Sequence, residues 1–224
     1  ESDVASDEVV VEEDTTEDQD SEDTQTEDLT TVNESQPYYV EEFDGDLENY
    51  EFFYIDIEGS DPDKGSIYPE DGTLVFDYNG DYLWSYVTYE PYVYDDVRID
   101  MQAENLASSN NSITLVCRYD EDLGWYEYNI DNDGEWTLYY YDNVIAKDYI
   151  QLYDGGSTNI NMGRDTNTYT MICQGQELSL YINGVFTHSF EHKDLKKGQV
   201  GFGVSSYANY PVKVNVNWFE ISEP

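Results

Sequence analysis

Basic residues are scarce in this chain: nine Lys and Arg stand against fifty Asp and Glu, giving a formal charge of -41 over 224 residues. Such a balance repels nucleic acid and anionic lipid at ordinary salt concentrations, so nucleic-acid binding is excluded. The surface suits cations, neutral polar ligands such as sugars, or plain colloidal solubility. Long apolar runs are missing as well. No stretch approaches the roughly 18 to 20 residues that span a bilayer, and no transmembrane segment is expected. Histidine is confined to His188 and His192, and cysteine to Cys117 and Cys173. Helical periodicity is absent throughout, which removes helix bundles. An initiator methionine is lacking too, since the chain starts at Glu1. That start reads as a trimmed precursor, and an upstream signal peptide or lipid-anchored cysteine would fit it.

Residues 1–36 contain no Lys, Arg or aromatic residue, while fifteen of the thirty-six are Asp or Glu. Such a segment buries too little apolar surface to offset its ordering entropy. The run "EDTTEDQDSEDTQTEDLTT" is expected to be a disordered, self-repelling linker that holds a domain away from a surface. An acidic binding tail or calcium buffer is the alternative.

At Pro37 the composition changes, and the folded domain is placed at residues 37–224. The stretch "PYYVEEFDGDLENYEFFYIDIEGS" brings in the aromatics and the first strand candidates. From there, short runs rich in Val, Ile, Tyr, Phe and Thr are separated by Gly, Asn, Asp and Ser clusters at strand-and-turn spacing. The clearest are "GTLVFDY", "DYLWSYVTY", "DVRIDMQAE", "SITLVCRY", "WYEYNI", "EWTLYYYD", "YTMICQG", "ELSLYI", "VFTHSF", "QVGFGVSSY" and "VKVNVNWFEI". About a dozen strands in one domain imply an all-β sandwich of two stacked antiparallel sheets.

Local registers follow from turn chemistry. Asn183 and Gly184 supply the positive-φ pair of a type I′ turn, so Ile182 is expected opposite Val185, Leu180 opposite Thr187 and Ser179 opposite His188. Leu178, Leu180, Ile182 and Val185 then form the core side, and Tyr181, Phe186 and His188 the outer side. In the last run, Val212, Val214, Val216 and Trp218 alternate on one face before Phe219 and Ile221 take the opposite phase, which a bulge near Trp218 explains. Cys117 and Cys173 each sit inside an apolar strand run. They are expected on neighbouring strands sharing a core face, as a disulfide or as two buried thiols.

The order of elements from Asp95 to the end resembles the concanavalin A-like (laminin G-like) jelly-roll superfamily, and is closest to bacterial 3-keto-disaccharide hydrolase-like domains and their family 16 glycosidase-like relatives. The pieces that carry the resemblance are "DDVRIDMQAE", "SITLVCRYDEDLGWYEYNI" with "DGEWTLYYYD", "NTYTMICQGQELSLYINGVFTHSF", "KKGQVGFGVSSY" and "VNVNWFEI". The resemblance implies a two-sheet jelly roll. Its members include lectins, polysaccharide hydrolases, adhesive modules and domains without an assigned ligand, so it does not by itself choose an activity.

A retaining glycosidase needs two carboxylates about 5 to 5.5 Å apart. Family 16 enzymes take them from a Glu-x-Asp-x-Glu strand. The nearest string identified here, "YIDIE", has Asp56 and Glu58 but Tyr54 at the nucleophile position and lies too early in the chain. No catalytic residue is therefore assigned, and the chain reads as non-catalytic. His188 and His192 would lie about 13 Å apart on a strand and cannot share a zinc ion, so no metal site is assigned. The stretches "DPDKGS" and "DNDGE" offer closely spaced oxygens for calcium, but neither forms a full ligand loop, and the second is better explained as a hairpin turn.

Twenty-three Tyr and four Trp exceed what a core with this much Val, Ile and Leu requires. Alternation leaves Trp125, Glu127, Tyr139 and Tyr141 outward, alongside Tyr181, Phe186 and His188. Rings flanked by carboxylates and amides suit a saccharide, whose C–H faces stack on rings while its hydroxyls take directed hydrogen bonds. Outer rings also cover sheets and pair across strands. The reading is an extracytoplasmic, tethered module whose partner is a glycan or cell-envelope polymer. Its alternatives are a divergent glycoside hydrolase or 3-keto-disaccharide hydrolase-like enzyme, and a structural spacer domain of an envelope protein.

Overall fold

Alternating apolar and polar positions commit most runs to half-buried strands, whereas the strands from "SITLVCRY" and "QVGFGVSSY" are buried on both faces. The computed structural model describes residues 37–55 and 57–224; the proposed linker, 1–36, lies outside the described residues. The strands in chain order are β1 (Tyr39–Glu41), β2 (Tyr50–Tyr54), β3 (Gly65–Glu70), β4 (Thr73–Tyr78), β5 (Trp84–Tyr94), β6 (Val97–Asn105), β7 (Asn111–Asp120), β8 (Gly124–Asp131), β9 (Glu135–Asp142), β10 (Asp148–Gly156), β11 (Thr166–Gln174), β12 (Glu177–Ile182), β13 (Val185–Glu191), β14 (Gly198–Ser206) and β15 (Val212–Ser222). One 3₁₀ turn, Pro62–Lys64, precedes β3. No helix among the described residues is long and apolar enough to cross a membrane.

The strands form two antiparallel sheets. One has eight strands in the order β13-β12-β11-β6-β15-β4-β3 with β1 also paired to β15, and the other has seven in the order β10-β9-β8-β7-β14-β5-β2. Their facing sides make the core. The eight-stranded sheet contributes Val97, Ile99 and Met101 of β6 and Val212, Val214 and Val216 of β15; the seven-stranded sheet contributes Tyr126, Tyr128 and Ile130 of β8 and Trp136, Leu138 and Tyr140 of β9. Each fully buried aliphatic or Phe side chain stabilises the fold by about 1.5–3 kcal/mol. This is the two-sheet sandwich that the strand count implied.

Two local details depart from the expected registers, and the bulge expected near Trp218 is present. Cys117 on β7 and Cys173 on β11 form a disulfide with Cα atoms 6.7 Å apart, and it joins facing strands of the two sheets rather than neighbours within one. In β15 the ladder shifts between Val216 and Trp218, so Phe219 and Ile221 continue the core side while Trp218 is only half-buried. In the β12–β13 hairpin Ile182 does face Val185 and Tyr181 faces Phe186, but a bulge follows and Leu180 pairs with His188, not Thr187. The extra residue rotates the rest of β13 by one position.

Candidate ligand-binding face

The same alternation that sends Tyr126, Tyr128 and Ile130 inward sends Trp125, Glu127, Asn129 and Asp131 of β8 to the outer face of the seven-stranded sheet. Tyr139 and Tyr141 of β9 join them, with Glu127 directly opposite Tyr139 and Trp125 opposite Tyr141. Gly124 starts β8 at φ 118, and a Cβ there would lie 1.8 Å from the Tyr141 carbonyl oxygen. Only glycine allows the two backbones to close up at this point.

That close approach lays Trp125 flat on Tyr141, with ring centroids 4.1 Å apart and planes inclined by 19°. Tyr86 meets Trp125 edge-on at 5.8 Å. Tyr149, the second residue of β10, packs against Tyr141 at 4.9 Å and against Trp84 at 5.6 Å. The β9–β10 loop is held by Asp142, whose carboxylate accepts the backbone N–H groups of Val144, Ile145 and Ala146 at 2.9, 3.0 and 3.1 Å. These bonds keep the Asp142 carboxyl below its usual range. The loop thereby presents Lys147 beside Tyr149.

Above this floor lies a cavity of about 490 Å³, walled by Trp84, Tyr139, Tyr141, Tyr149 and Tyr207 and carrying Asn129, Asp131, Lys147 and Asp148 as polar groups. Its size and mixed lining match an ordinary small-ligand site. Asp131 accepts a hydrogen bond from the Tyr207 hydroxyl at 2.5 Å, and burial pushes its carboxyl up to about 6 against that bond. Glu127 lies beneath the wall, 0% exposed. It accepts hydrogen bonds from Trp125 Nε1 at 2.6 Å, the Tyr86 hydroxyl at 2.9 Å and Asn129 Nδ2 at 3.0 Å. Burial nevertheless raises its carboxyl to about 7, and the three donors oppose the rise.

Trp125, Glu127, Tyr139 and Tyr141 thus share one outer face. Trp125 and Glu127 form its foundation and are buried, whereas Tyr139 and Tyr141 line the cavity. Tyr181, Phe186 and His188 belong to the edge hairpin of the other sheet and are not part of this face. His188 is a correction of orientation too. The β13 bulge turns it inward, where Nδ1 lies 3.0 Å from the Tyr128 hydroxyl and the ring is 4.4 Å from Tyr153 and 4.7 Å from Trp136. Phe186 remains 56% exposed beside Tyr181.

The two calcium-like stretches serve other purposes. Residues 61–66 form the 3₁₀ turn and enter β3, with Lys64 Nζ 3.8 Å from Asp61. Residues 131–135 make the β8–β9 turn, closed by Gly134 N–H to the Asp131 carbonyl at 3.2 Å with Gly134 at φ 104. Among the described residues, no group of three or more His, Cys, Asp or Glu is placed to hold a metal ion.

Sequence reasoning missed Asn129 and Asp131. The string "EYNID" carried a usable signal, three polar residues on one face of a strand whose other face is wholly apolar or aromatic. It also missed the contributors from distant segments, Trp84, Tyr149 and Tyr207.

Two stacked antiparallel sheets with this strand order form a concanavalin A-like jelly roll, and solved structures of that class superimpose on the chain. Carbohydrate-binding module CBM66 from Bacillus subtilis is 12% identical with a TM-score of 0.52, covering 75% of this chain and 94% of its own. A β-1,3-1,4-glucanase (lichenase) derived from a mouse hindgut metagenome is 12% identical with a TM-score of 0.61, covering 84% of this chain and 100% of its own. A Bacillus subtilis protein of unknown function with a galectin-like fold is 10% identical with a TM-score of 0.62, covering 85% and 97%. No family model and no curated protein matches the sequence.

Proposed function

We propose that the domain is a non-catalytic glycan-binding module and that the ligand sits in the ring-walled cavity on the outer face of the seven-stranded sheet. The observation that carries this reading is the cavity itself: Trp84, Tyr139, Tyr141 and Tyr149 offer ring faces around Asn129, Asp131 and Lys147. Rings take the C–H faces of a sugar, and amide, carboxylate and ammonium take its hydroxyls. That a carbohydrate-binding module and a glucanase share the fold supports the reading. We place the domain outside the cytoplasm, at the end of the acidic linker 1–36. The Cys117–Cys173 bridge supports an oxidising compartment.

A second reading, a glycoside hydrolase, is favoured by one observation: Glu127 and Asp131 stand on the same face of β8, both with raised carboxyl pKa values. Against it, the Glu127 carboxylate is shielded from solvent and already takes three donors. A glycan array run with and without calcium tests the first reading, and incubation of each bound polysaccharide followed by a reducing-end assay tests the second. Binding without release supports the module; release that disappears in Asp131→Asn supports the hydrolase.

A further inference from the structure

Glu127 does not line the cavity, yet one hydrogen-bonded chain leads from it to the cavity wall. Its Oε2 accepts from the Tyr86 hydroxyl at 2.9 Å, and the Tyr86 oxygen lies 2.9 Å from the hydroxyl of Tyr149, which is part of the wall. A phenol has a single proton. While Glu127 is ionised, Tyr86 must spend its proton on the carboxylate, so Tyr149 donates to Tyr86 and has only lone pairs left for the cavity. When Glu127 takes a proton from solvent, the order reverses. Glu127 donates to Tyr86, Tyr86 donates to Tyr149, and the Tyr149 O–H is released toward the cavity. One proton is gained and no covalent bond other than O–H changes.

We propose that Glu127 is a positioning residue of this face, which sets through Tyr86 whether the Tyr149 hydroxyl meets a bound sugar as acceptor or as donor. The titratable groups facing Glu127 are the phenols of Tyr86 on β5, Tyr149 on β10 and Tyr139 on β9, while β7 places Val116 opposite it. Asp131, Lys147 and Asp148 lie around the cavity rather than against the buried carboxylate. The carboxyl is raised to about 7, so the reversal falls in the neutral range. Ring and bridging oxygens of a glycan only accept, so the donor sense serves more of its atoms and binding is tighter below the midpoint. One hydrogen bond gained corresponds to about a three- to tenfold change in affinity. The glycan part rests on the proposed function; the proton order does not.

The test uses the full chain labelled with ¹³Cζ-tyrosine and ¹⁵N-tryptophan, titrated from pH 5.5 to 8.5 without ligand. Tyr149 is assigned by its loss in Tyr149→Phe, and the Trp125 indole by its loss in Trp125→Phe. The Tyr149 signal should step near pH 7, and in Tyr86→Phe that step should vanish while the Trp125 indole still titrates. A Tyr149 signal flat across the range, or a step that survives Tyr86→Phe, overturns the proposal. Mixed-linkage β-glucan retention at pH 5.5 and 8.5 then reads the consequence. Retention that is equal at both pH values overturns the coupling to binding. A Tyr149 step with no glucan retained at either pH upholds the proton order and counts against the glycan reading alone.

Discussion

The sharpest energetic consequence of the buried carboxylate is a fall in stability with rising pH. In the unfolded chain Glu127 titrates near 4.5, and in the fold burial lifts it to about 7. Between those values the folded chain binds more protons than the unfolded one, so the contribution is fully present below about 4.5 and is lost as pH rises through about 7. At about 1.4 kcal/mol per pH unit, the gap corresponds to about 3 kcal/mol. Asp131, also raised, adds a loss of the same sign that ends near pH 6. His188, lowered by burial, acts in the opposite sense, since its stabilisation is lost as pH falls. Comparison with Glu127→Gln separates the terms. The amide must set an N–H against Asn129 Nδ2 or Trp125 Nε1, a pH-independent cost of about 1–3 kcal/mol, but the Asp131 and His188 terms remain in both proteins. Urea denaturation at half-unit steps from pH 4.5 to 8.5 should therefore show a wild-type-minus-variant stability difference that falls by about 3 kcal/mol across the range, reaching zero or changing sign at its alkaline end. A difference constant to within about 0.5 kcal/mol would refute the assignment of a raised, buried carboxyl.

Replacing Cys117 and Cys173 together by alanine opens a loop spanning 56 residues, and the urea midpoint should fall by the equivalent of about 4 kcal/mol on the chain-entropy account. His188→Ala removes a ring held between Tyr153 and Trp136 and the contact with Tyr128; it should cost about 2–3 kcal/mol in the same assay and leave glycan retention unchanged. A Cβ on Gly203 of β14 would lie 2.2 Å from the Ser85 carbonyl oxygen, so Gly203→Ala should shift β14 against β5 and lower the melting temperature, at a cost of about 1–3 kcal/mol.

Period-two alternation was enough to locate most strands, because a sandwich strand has one face in the core and the pattern is imposed by burial. The clearest eleven runs correspond to β4 to β9 and β11 to β15. The runs that escaped notice are edges: β10 buries little, and β3 carries Pro69 and exposes most of its side chains. Their sequences bear little core pattern because each lays only a few partly buried side chains against the core, such as Ile67 of β3 and Leu152 of β10. Bulges explain the register results. The β15 bulge was legible because Phe219 and Ile221 break the alternation, whereas in β13 nothing in "VFTHSF" marks the extra residue that turns His188 inward. Within the candidate site, β8 and β9 were readable strand by strand, and Trp125, Glu127, Tyr139 and Tyr141 lie on the face alternation gave them. Their depth was not readable. Trp125 and Glu127 are buried because Tyr141, Tyr149 and Tyr86 cover them, and Tyr86 and Tyr149 come from strands far away in sequence.

The claim that the outer face of the seven-stranded sheet binds glycan is tested most directly by affinity electrophoresis in a gel containing the polysaccharide selected on the array. Wild type, Tyr141→Ala and Phe186→Ala should be run side by side, after thermal melts confirm that each is folded. Tyr141 lines the cavity, and Phe186 projects from the other sheet. The account predicts retardation of wild type and of Phe186→Ala, and for Tyr141→Ala an affinity lower by about 1–3 kcal/mol, the usual cost of losing an aromatic anchor. Retardation of Tyr141→Ala equal to wild type, loss of retardation in Phe186→Ala, or no glycan selected on the array would contradict it.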